Sequence, residues 1–259
     1  MKLAISGKGG VGKTTLSSLL AGVYAAEGTT VLAVDANPDA NLAAALGIPA
    51  EDVKKIVPIS EMSDLIEERT GAKPGTSSPF FKLNPTVDDI PDRYCINLGR
   101  IKLLVMGNLK HGDSGCICPE SVLLRSIISE LLLSRSEVVI MDMDAGVEHL
   151  YRGTARAVDA FIIVVEPGQR SLQTARSIRS LASDLGIARC LVVGSKIRDD
   201  AGRQFIIDNM PDFEILGFIS YDPTVADADL QGVGVFDAAP AAAAEVRRIR
   251  DALESVICK

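Results

Sequence analysis

Nine consecutive residues near the start of the chain, Gly7-Lys8-Gly9-Gly10-Val11-Gly12-Lys13-Thr14-Thr15, combine glycine, lysine and threonine at a spacing suited to holding phosphate. Glycine allows backbone angles and close approaches that a Cβ would block. The run satisfies G-x-x-x-x-G-K-S/T, in which loop N–H groups cradle phosphates and the following helix N-terminus adds a favourable field. Lys13 is then placed to reach β- and γ-phosphates, and the Thr14 hydroxyl to ligate Mg²⁺. The same letters contain G-x-G-x-x-G at Gly7, Gly9 and Gly12, with Asp35 after the next strand, which is a dinucleotide fingerprint. The pyrophosphate of NAD would make no use of Lys13, Thr14 and Thr15, whereas a triphosphate with Mg²⁺ uses each. The sequence therefore favours the triphosphate.

A second cluster is Cys116-Ile117-Cys118-Pro119-Glu120. Pro119 suits the first position of a helix, so both thiols lie at or just before a helix N-terminus, where thiolates are stabilised. In an irregular turn two sulfurs two residues apart can converge. Two sulfurs do not complete a soft-metal site, but a two-fold dimer would present four, a set that suits Zn²⁺, Ni²⁺ or an iron–sulfur cluster. In isolation, Cys-x-Cys reads equally well as a buried or redox-active pair. Cys95, Cys190 and Cys258 lack such spacing and read as packing or incidental thiols. His111 reads as a loop residue, and His149 as one that orients backbone. Asp142 ends the apolar run Val138-Val139-Ile140-Met141, where an aspartate that holds Mg²⁺ through water belongs.

These residues need a frame. Short apolar runs alternate with amphipathic stretches, the pattern of repeated βα units. Strands are expected at 2–6, 30–34, 101–106, 137–142, 160–165, 190–194 and 214–219. Helices are expected at 13–26, 39–46, 61–69, 119–133, 169–184, 200–209 and 241–257. Right-handed crossovers then give an α/β fold, one doubly wound and mostly parallel sheet with helices on both faces. Residues 1–259 read as a single domain, interrupted by an irregular excursion at about 48–100 that carries Gly75, Pro79, Pro85 and Pro91. Aromatic content is only 4%, which fits aliphatic strands buried under helices. The net charge of -7 argues against gripping nucleic acid. No apolar run reaches the roughly 18–20 residues of a membrane span, and Met1-Lys2 leads straight into a strand, so a cytoplasmic protein is expected. Five cysteines, an odd number, do not suggest a disulfide framework.

With Lys8 inside it, the loop Gly-Lys-Gly-Gly-Val-Gly-Lys-Thr-Thr resembles the deviant Walker A motif of the MinD/ParA/nitrogenase iron protein class of ATP-dependent dimers. The resemblance narrows to the CooC-type nickel-inserting ATPases, including the AcsF branch. It is carried by Phe81-Lys82-Leu83-Asn84-Pro85, Val87-Asp88-Asp89-Ile90-Pro91, Ile101 through Gly107, and Gly115-Cys116-Ile117-Cys118-Pro119-Glu120. Met141 through Leu150 and Val164-Val165-Glu166-Pro167-Gly168 complete it.

The resemblance implies a homodimer in which Lys8 reaches the partner's nucleotide and helps catalyse hydrolysis. It implies that Cys116 and Cys118 of both copies hold one Ni²⁺, with Zn²⁺ fitting the same thiolates. The metal would be delivered to carbon monoxide dehydrogenase or acetyl-CoA synthase. Asp144-Ala145-Gly146 looks like the family's second switch, with the Gly146 N–H near the γ-phosphate. The first switch would lie in Asp35-Ala36-Asn37-Pro38-Asp39. Relatives carry a second aspartate where this chain has Asn37, a poor proton acceptor, so slow hydrolysis is expected; Asp35 and Asp39 both stay open as substitutes. Ser195 before Lys196 replaces an asparagine that reads adenine in relatives, and Tyr221-Asp222-Pro223 forms the other wall of the base pocket. An iron–sulfur electron-transfer ATPase and a MinD/ParA-type positioning ATPase are the alternatives. The former separates its cluster cysteines widely, unlike Cys116 and Cys118.

Overall fold

The computed structural model describes residues 1–75, 80–107, 118–147, 150 and 152–258. Strands β1 (Lys2–Gly7), β2 (Val31–Ala36), β3 (Ile96–Leu98), β4 (Ile101–Val105), β5 (Val138–Met143), β6 (Ala160–Val165), β7 (Cys190–Ile197) and β8 (Glu214–Ser220) form one sheet. Their order is β3-β4-β2-β5-β1-β6-β7-β8. Every neighbouring pair is parallel except β3 with β4. The longer helices are α1 (Lys13–Ala26), α2 (Ser63–Thr70), α3 (Pro119–Leu133), α4 (Gln169–Leu185), α5 (Asp200–Asn209), α6 (Pro223–Gln231) and α7 (Pro240–Ile257).

Alternate residues of each strand point to opposite faces, so a strand that is apolar throughout feeds two cores at once. Ala4, Leu32, Val34, Val139, Met141, Phe161, Ile163 and Val165 join α3 and α4 on one face. Leu3, Ile5, Val31, Ile140, Ile162, Val164, Leu191 and Val193 join α1 and α7 on the other. Each fully buried aliphatic or aromatic side chain contributes about 1.5–3 kcal/mol, which is why the central strands carry almost no polar residues. Lys2 stands buried at the start of β1, whereas Ser6, Asp35 and Asp142 lie towards the strands' C-terminal ends with no exposed surface. The α/β expectation and the seven parallel strands are borne out.

Three local differences have physical causes. The helix expected over 39–46 contracts to Leu42–Ala45, because the Asp35 carboxylate captures the Leu42 N–H and keeps the preceding residues out of helix. Strand β3 was not anticipated. Its only turn signal is Gly99, at φ 64°, between Leu98 and Ile101, which pair across a two-residue loop. Helix α6 was likewise missed, although Asp222 caps it through the Thr224 N–H at 2.9 Å and Pro223 occupies its first turn.

The excursion is built rather than loose over its described residues. Ile59, Leu65, Ile66, Val87 and Ile90 enter the core beside α3. Arg69 fastens it to Asp89 at 2.7 Å, and Asp89 also accepts from Arg93 at 3.0 Å. Helix α7 spends its apolar face, Ala242, Val246, Ile249 and Leu253, on the core. Its Arg250 pairs with Glu27 of the turn after α1. Among the described residues no helix is long and apolar enough to cross a membrane.

Candidate functional site

Chain reversal around β1 opens a crevice at the C-terminal ends of the central strands, where α/β sheets bind ligands. The loop after β1 turns directly into α1. Gly10 sits at φ 79° and Gly12 at φ 100°, left-handed angles that favour glycine. A Cβ on Gly7 would come within 2.4 Å of the Val164 carbonyl oxygen, and one on Gly12 within 2.9 Å of Ser195 Oγ. The glycines are therefore demanded by the path of the chain and by its neighbours β6 and β7.

A pocket of about 590 Å³ opens over this loop. Gly9, Gly10, Gly12, Lys13, Thr14 and Thr15 line its floor. Asn37, Asp39, Asp144 and Tyr221 also line it, with Ser195 and Lys196 against the loop itself. Residues far apart in sequence thus converge on one pocket, which Gly7, Lys8, Val11, Gly146 and Pro223 do not line. Val11 is buried in the core behind the loop, Asp35 and Asp142 lie fully buried, and Pro223 is the first residue of α6 beside the pocket wall. Lys196 takes φ 56° and donates from Nζ to the Gly10 carbonyl, bracing the phosphate loop from β7. Arg198 stacks on the Tyr221 ring at 4.1 Å.

Beneath the pocket, Thr14 Oγ1 donates to Asp142 Oδ2 at 2.6 Å, while the Ser17 hydroxyl lies 2.9 Å from the Lys13 carbonyl and 3.3 Å from Asp142 Oδ1, its one proton shared between them. Burial pushes the Asp142 carboxyl up to about 6, opposed chiefly by the Thr14 hydrogen bond and by the charge of Lys13. A hard cation prefers oxygen ligands. A hydroxyl and a carboxylate at this spacing beside a phosphate loop fit Mg²⁺. Ser17 was not foreseen, yet it lies one helical turn beyond Lys13 and Thr14 on α1, so helix periodicity could have found it.

The segments 35–39 and 144–146 are held differently. Asp35 pairs with Asp142 in the β2–β5 register. Its oxygens accept from Asn37 N at 3.1 Å and Leu42 N at 2.9 Å. Burial pushes its carboxyl up to about 7 despite these bonds, and the Asp142 charge adds to the rise. Asp35 has no exposed surface and does not line the pocket, and its two bonds tie the loop after β2 to the start of the short helix Leu42–Ala45. Asn37 and Asp39 line the pocket instead, Asn37 Oδ1 accepting from the Asp39 N–H at 3.2 Å. The segment 144–146 is held by Ser6, whose Oγ lies 2.7 Å from the Asp144 carbonyl oxygen and 2.9 Å from that of Gly146. Ser6 precedes the phosphate motif, and nothing in its spacing announced it.

Lys8 remains with its own chain, 3.6 Å from Glu166, both side chains partly exposed. Cys118 occupies the N-cap position of α3, its Sγ 2.9 Å from Ser121 Oγ. Cys116, His111 and His149 lie outside the described residues. No cluster of three or more metal-ligating side chains occurs among the described residues. The thiols Cys95 and Cys190 are half-buried, and burial pushes both upward, Cys95 to about 12, as inert packing thiols require.

Comparison with known proteins places this site in context. Residues 2–235 match the CobQ/CobB/MinD/ParA nucleotide binding domain. The chain is 48% identical over 241 residues, 93% of its length and 91% of the other's, to the carbon monoxide dehydrogenase accessory protein CooC of Rhodospirillum rubrum. It is 47% identical over 234 residues, 90% of each chain, to an uncharacterised ATP-binding protein of Methanocaldococcus jannaschii. Among solved structures, the MinC:MinD cell division complex of Aquifex aeolicus matches at TM-score 0.67 and 21% identity, covering 98% of this chain and 96% of that one. At that identity the likeness concerns the fold alone. A phosphate loop and a buried Thr14–Asp142 pair on this sheet, together with these relatives, show that the chain belongs to the CobQ/CobB/MinD/ParA nucleotide-binding family and within it to the CooC-type ATPases.

Proposed function

We propose that this protein is a cytoplasmic ATPase that works as one domain per chain and delivers nickel to carbon monoxide dehydrogenase or acetyl-CoA synthase. The observation that carries the reading is the near-complete match, at 48% identity, to a protein named as a carbon monoxide dehydrogenase accessory protein. Cys118 stands where α3 begins, its Sγ 2.9 Å from the Ser121 hydroxyl, which puts one sulfur of the Cys-x-Cys pair at the head of that helix.

The protein's own residues divide the work. The phosphate loop from Gly7 to Thr15 orients the triphosphate, Lys13 balances charge on its β- and γ-oxygens, and Thr14 with Asp142 would hold Mg²⁺. That ion, when bound, neutralises charge that builds on the phosphates. Asn37 and Asp39 flank the place an attacking water must occupy. Because Asn37 cannot accept a proton as a carboxylate does, hydrolysis is slow, with Asp39 the pocket-lining carboxylate of that segment. Lys8 leaves its weak pairing with Glu166 and crosses to the partner's nucleotide when ATP closes the homodimer. Cys116 and Cys118 of both copies then share one Ni²⁺, which hydrolysis releases. Ser195, Lys196, Tyr221 and Pro223 form the base end of the pocket.

The metal is cargo, and Zn²⁺ competes for the same sulfurs because both ions bind thiolate well. ATP can change metal affinity only if it binds the closed dimer better than the open one. The experiment is metal-dependent reactivation of a purified apo carbon monoxide dehydrogenase or acetyl-CoA synthase with and without ATP, alongside the Cys116→Ser/Cys118→Ser double variant. The variant should bind ATP normally and lose stoichiometric Ni²⁺ binding and reactivation. Unchanged nickel stoichiometry would remove the metal-delivery role and leave the ATPase.

A further inference from the structure

Four carboxylates line the pocket over the phosphate loop: Asp39, Asp144, Asp222 and Asp229. Asp144 Oδ1 accepts from the Ala145 N–H at 2.7 Å. Asp222 Oδ1 accepts from the Thr224 N–H at 2.9 Å and from its hydroxyl at 2.6 Å. Asp39 belongs to the segment after β2 already assigned to the attacking water. Asp229 differs from all three. It stands exposed on α6, and among the described residues its side chain has neither a hydrogen bond nor an ion pair. It lies one helical turn beyond Val225, so the two share the face of α6 that lines the pocket. Helix α6 packs against the short helix Leu42–Ala45, whose Ala44 and Ala45 line the same pocket. Small apolar side chains from two helices thus border one space, with Asp229 as a free acceptor beside them.

The phosphates of a nucleotide are claimed by the loop and Lys13, and a carboxylate beside them would repel them. Asp229 therefore meets the uncharged part of the ligand. That part offers hydrogen-bond donors in two places, the 6-amino group of adenine and the two adjacent hydroxyls of the ribose. A carboxylate only accepts, and it does so through two oxygens side by side. Two neighbouring O–H groups match that pair, whereas the apolar walls suit the flat faces of a base. We propose that Asp229 determines specificity by gripping the ribose diol of the bound nucleotide. Such bonds are charge-assisted and stronger than those between neutral groups. Water competes for an exposed carboxylate, which keeps the gain modest. The free protein strands no buried group, because water solvates Asp229 until the sugar arrives.

The test measures Mg²⁺-bound ADP, 2′,3′-dideoxy-ADP and inosine diphosphate by calorimetry, for the wild type, Asp229→Ala and Asp229→Asn. Diphosphates avoid hydrolysis during the titration. The preference for ADP over the dideoxy nucleotide should fall about ten-fold in Asp229→Ala. The dideoxy nucleotide itself should bind no more weakly than to the wild type, which also shows that the variant is folded. Asp229→Asn, which keeps one acceptor oxygen without the charge, should fall between the two. The ratio of ADP to inosine diphosphate, which differ at the 6-position of the base, should stay at its wild-type value. An unchanged preference for the diol in Asp229→Ala, or a parallel loss for ADP and the dideoxy nucleotide, overturns the assignment. So does a shift in the inosine ratio alone, which would make Asp229 a reader of the base. The measurement needs neither nickel nor a client enzyme, so its failure is separable from failure of the delivery role, which the reactivation assay decides.

Discussion

Asp35 shows how far one buried carboxylate can depart from its sequence appearance. Its spacing within Asp35-Ala36-Asn37-Pro38-Asp39 left it open as a water-orienting group, yet it has no exposed surface and accepts from the Asn37 and Leu42 amides. A carboxylate with no exposed surface and a folded value near 7 holds its proton more tightly in the native state than in the unfolded chain, where the value is about 3.8. Its contribution to stability is therefore fully present below the unfolded value and is lost as pH rises through 7. Asp142, pushed up to about 6, acts in the same direction. We expect the nucleotide-free protein to melt at a lower temperature at pH 8 than at pH 6, with a shallower slope in Asp35→Asn. Thermal unfolding across that range checks this, and an equal slope in the variant would contradict it.

At the scale of elements, the phosphate loop depends on angles that only glycine takes easily. Gly12 initiates α1 at φ 100°, and Ser195 of β7 stands where its Cβ would go. Gly12→Ala should cost about 1–2 kcal/mol in backbone strain and lower Mg²⁺-ATP affinity about ten-fold. Lys196 bracing Gly10 from the same strand makes the loss larger if the loop shifts as a unit. Affinity measured by nucleotide titration, with far-ultraviolet dichroism to confirm the fold, decides the point. The helices and the seven parallel strands were legible from periodicity because each strand packs aliphatic residues on both faces. Strand β3 was not, since three residues and one glycine carry too little pattern. Helix α6 carried a full start signal in Asp222-Pro223, which competed with a reading of the same residues as pocket wall.

At the scale of the whole molecule, the proposed homodimer turns on Lys8. The Lys8–Glu166 pair, at 3.6 Å and partly exposed, is of the kind that contributes at most about 1 kcal/mol, so a partner's phosphates can displace it. Lys8→Ala should then leave monomer stability unchanged while raising several-fold the ATP concentration needed for dimerisation, as sedimentation velocity would register. An unaltered dimer would rule out a role for Lys8 in trans. By itself the sequence determined the fold class, the nucleotide chemistry and the family, because each is written in contiguous residues: a nine-residue loop, apolar runs of fixed period and the Cys-x-Cys segment. Only the tertiary structure decided that Asp35 is buried against the Asn37 and Leu42 amides, that Ser17 stands beside Thr14 near Asp142, and that Ser6 accepts from the Gly146 amide. Those roles arise from side chains and backbone brought together across the sheet from distant positions, and burial then fixes which hydrogen bonds and protonation states survive. Spacing along a chain carries no record of either.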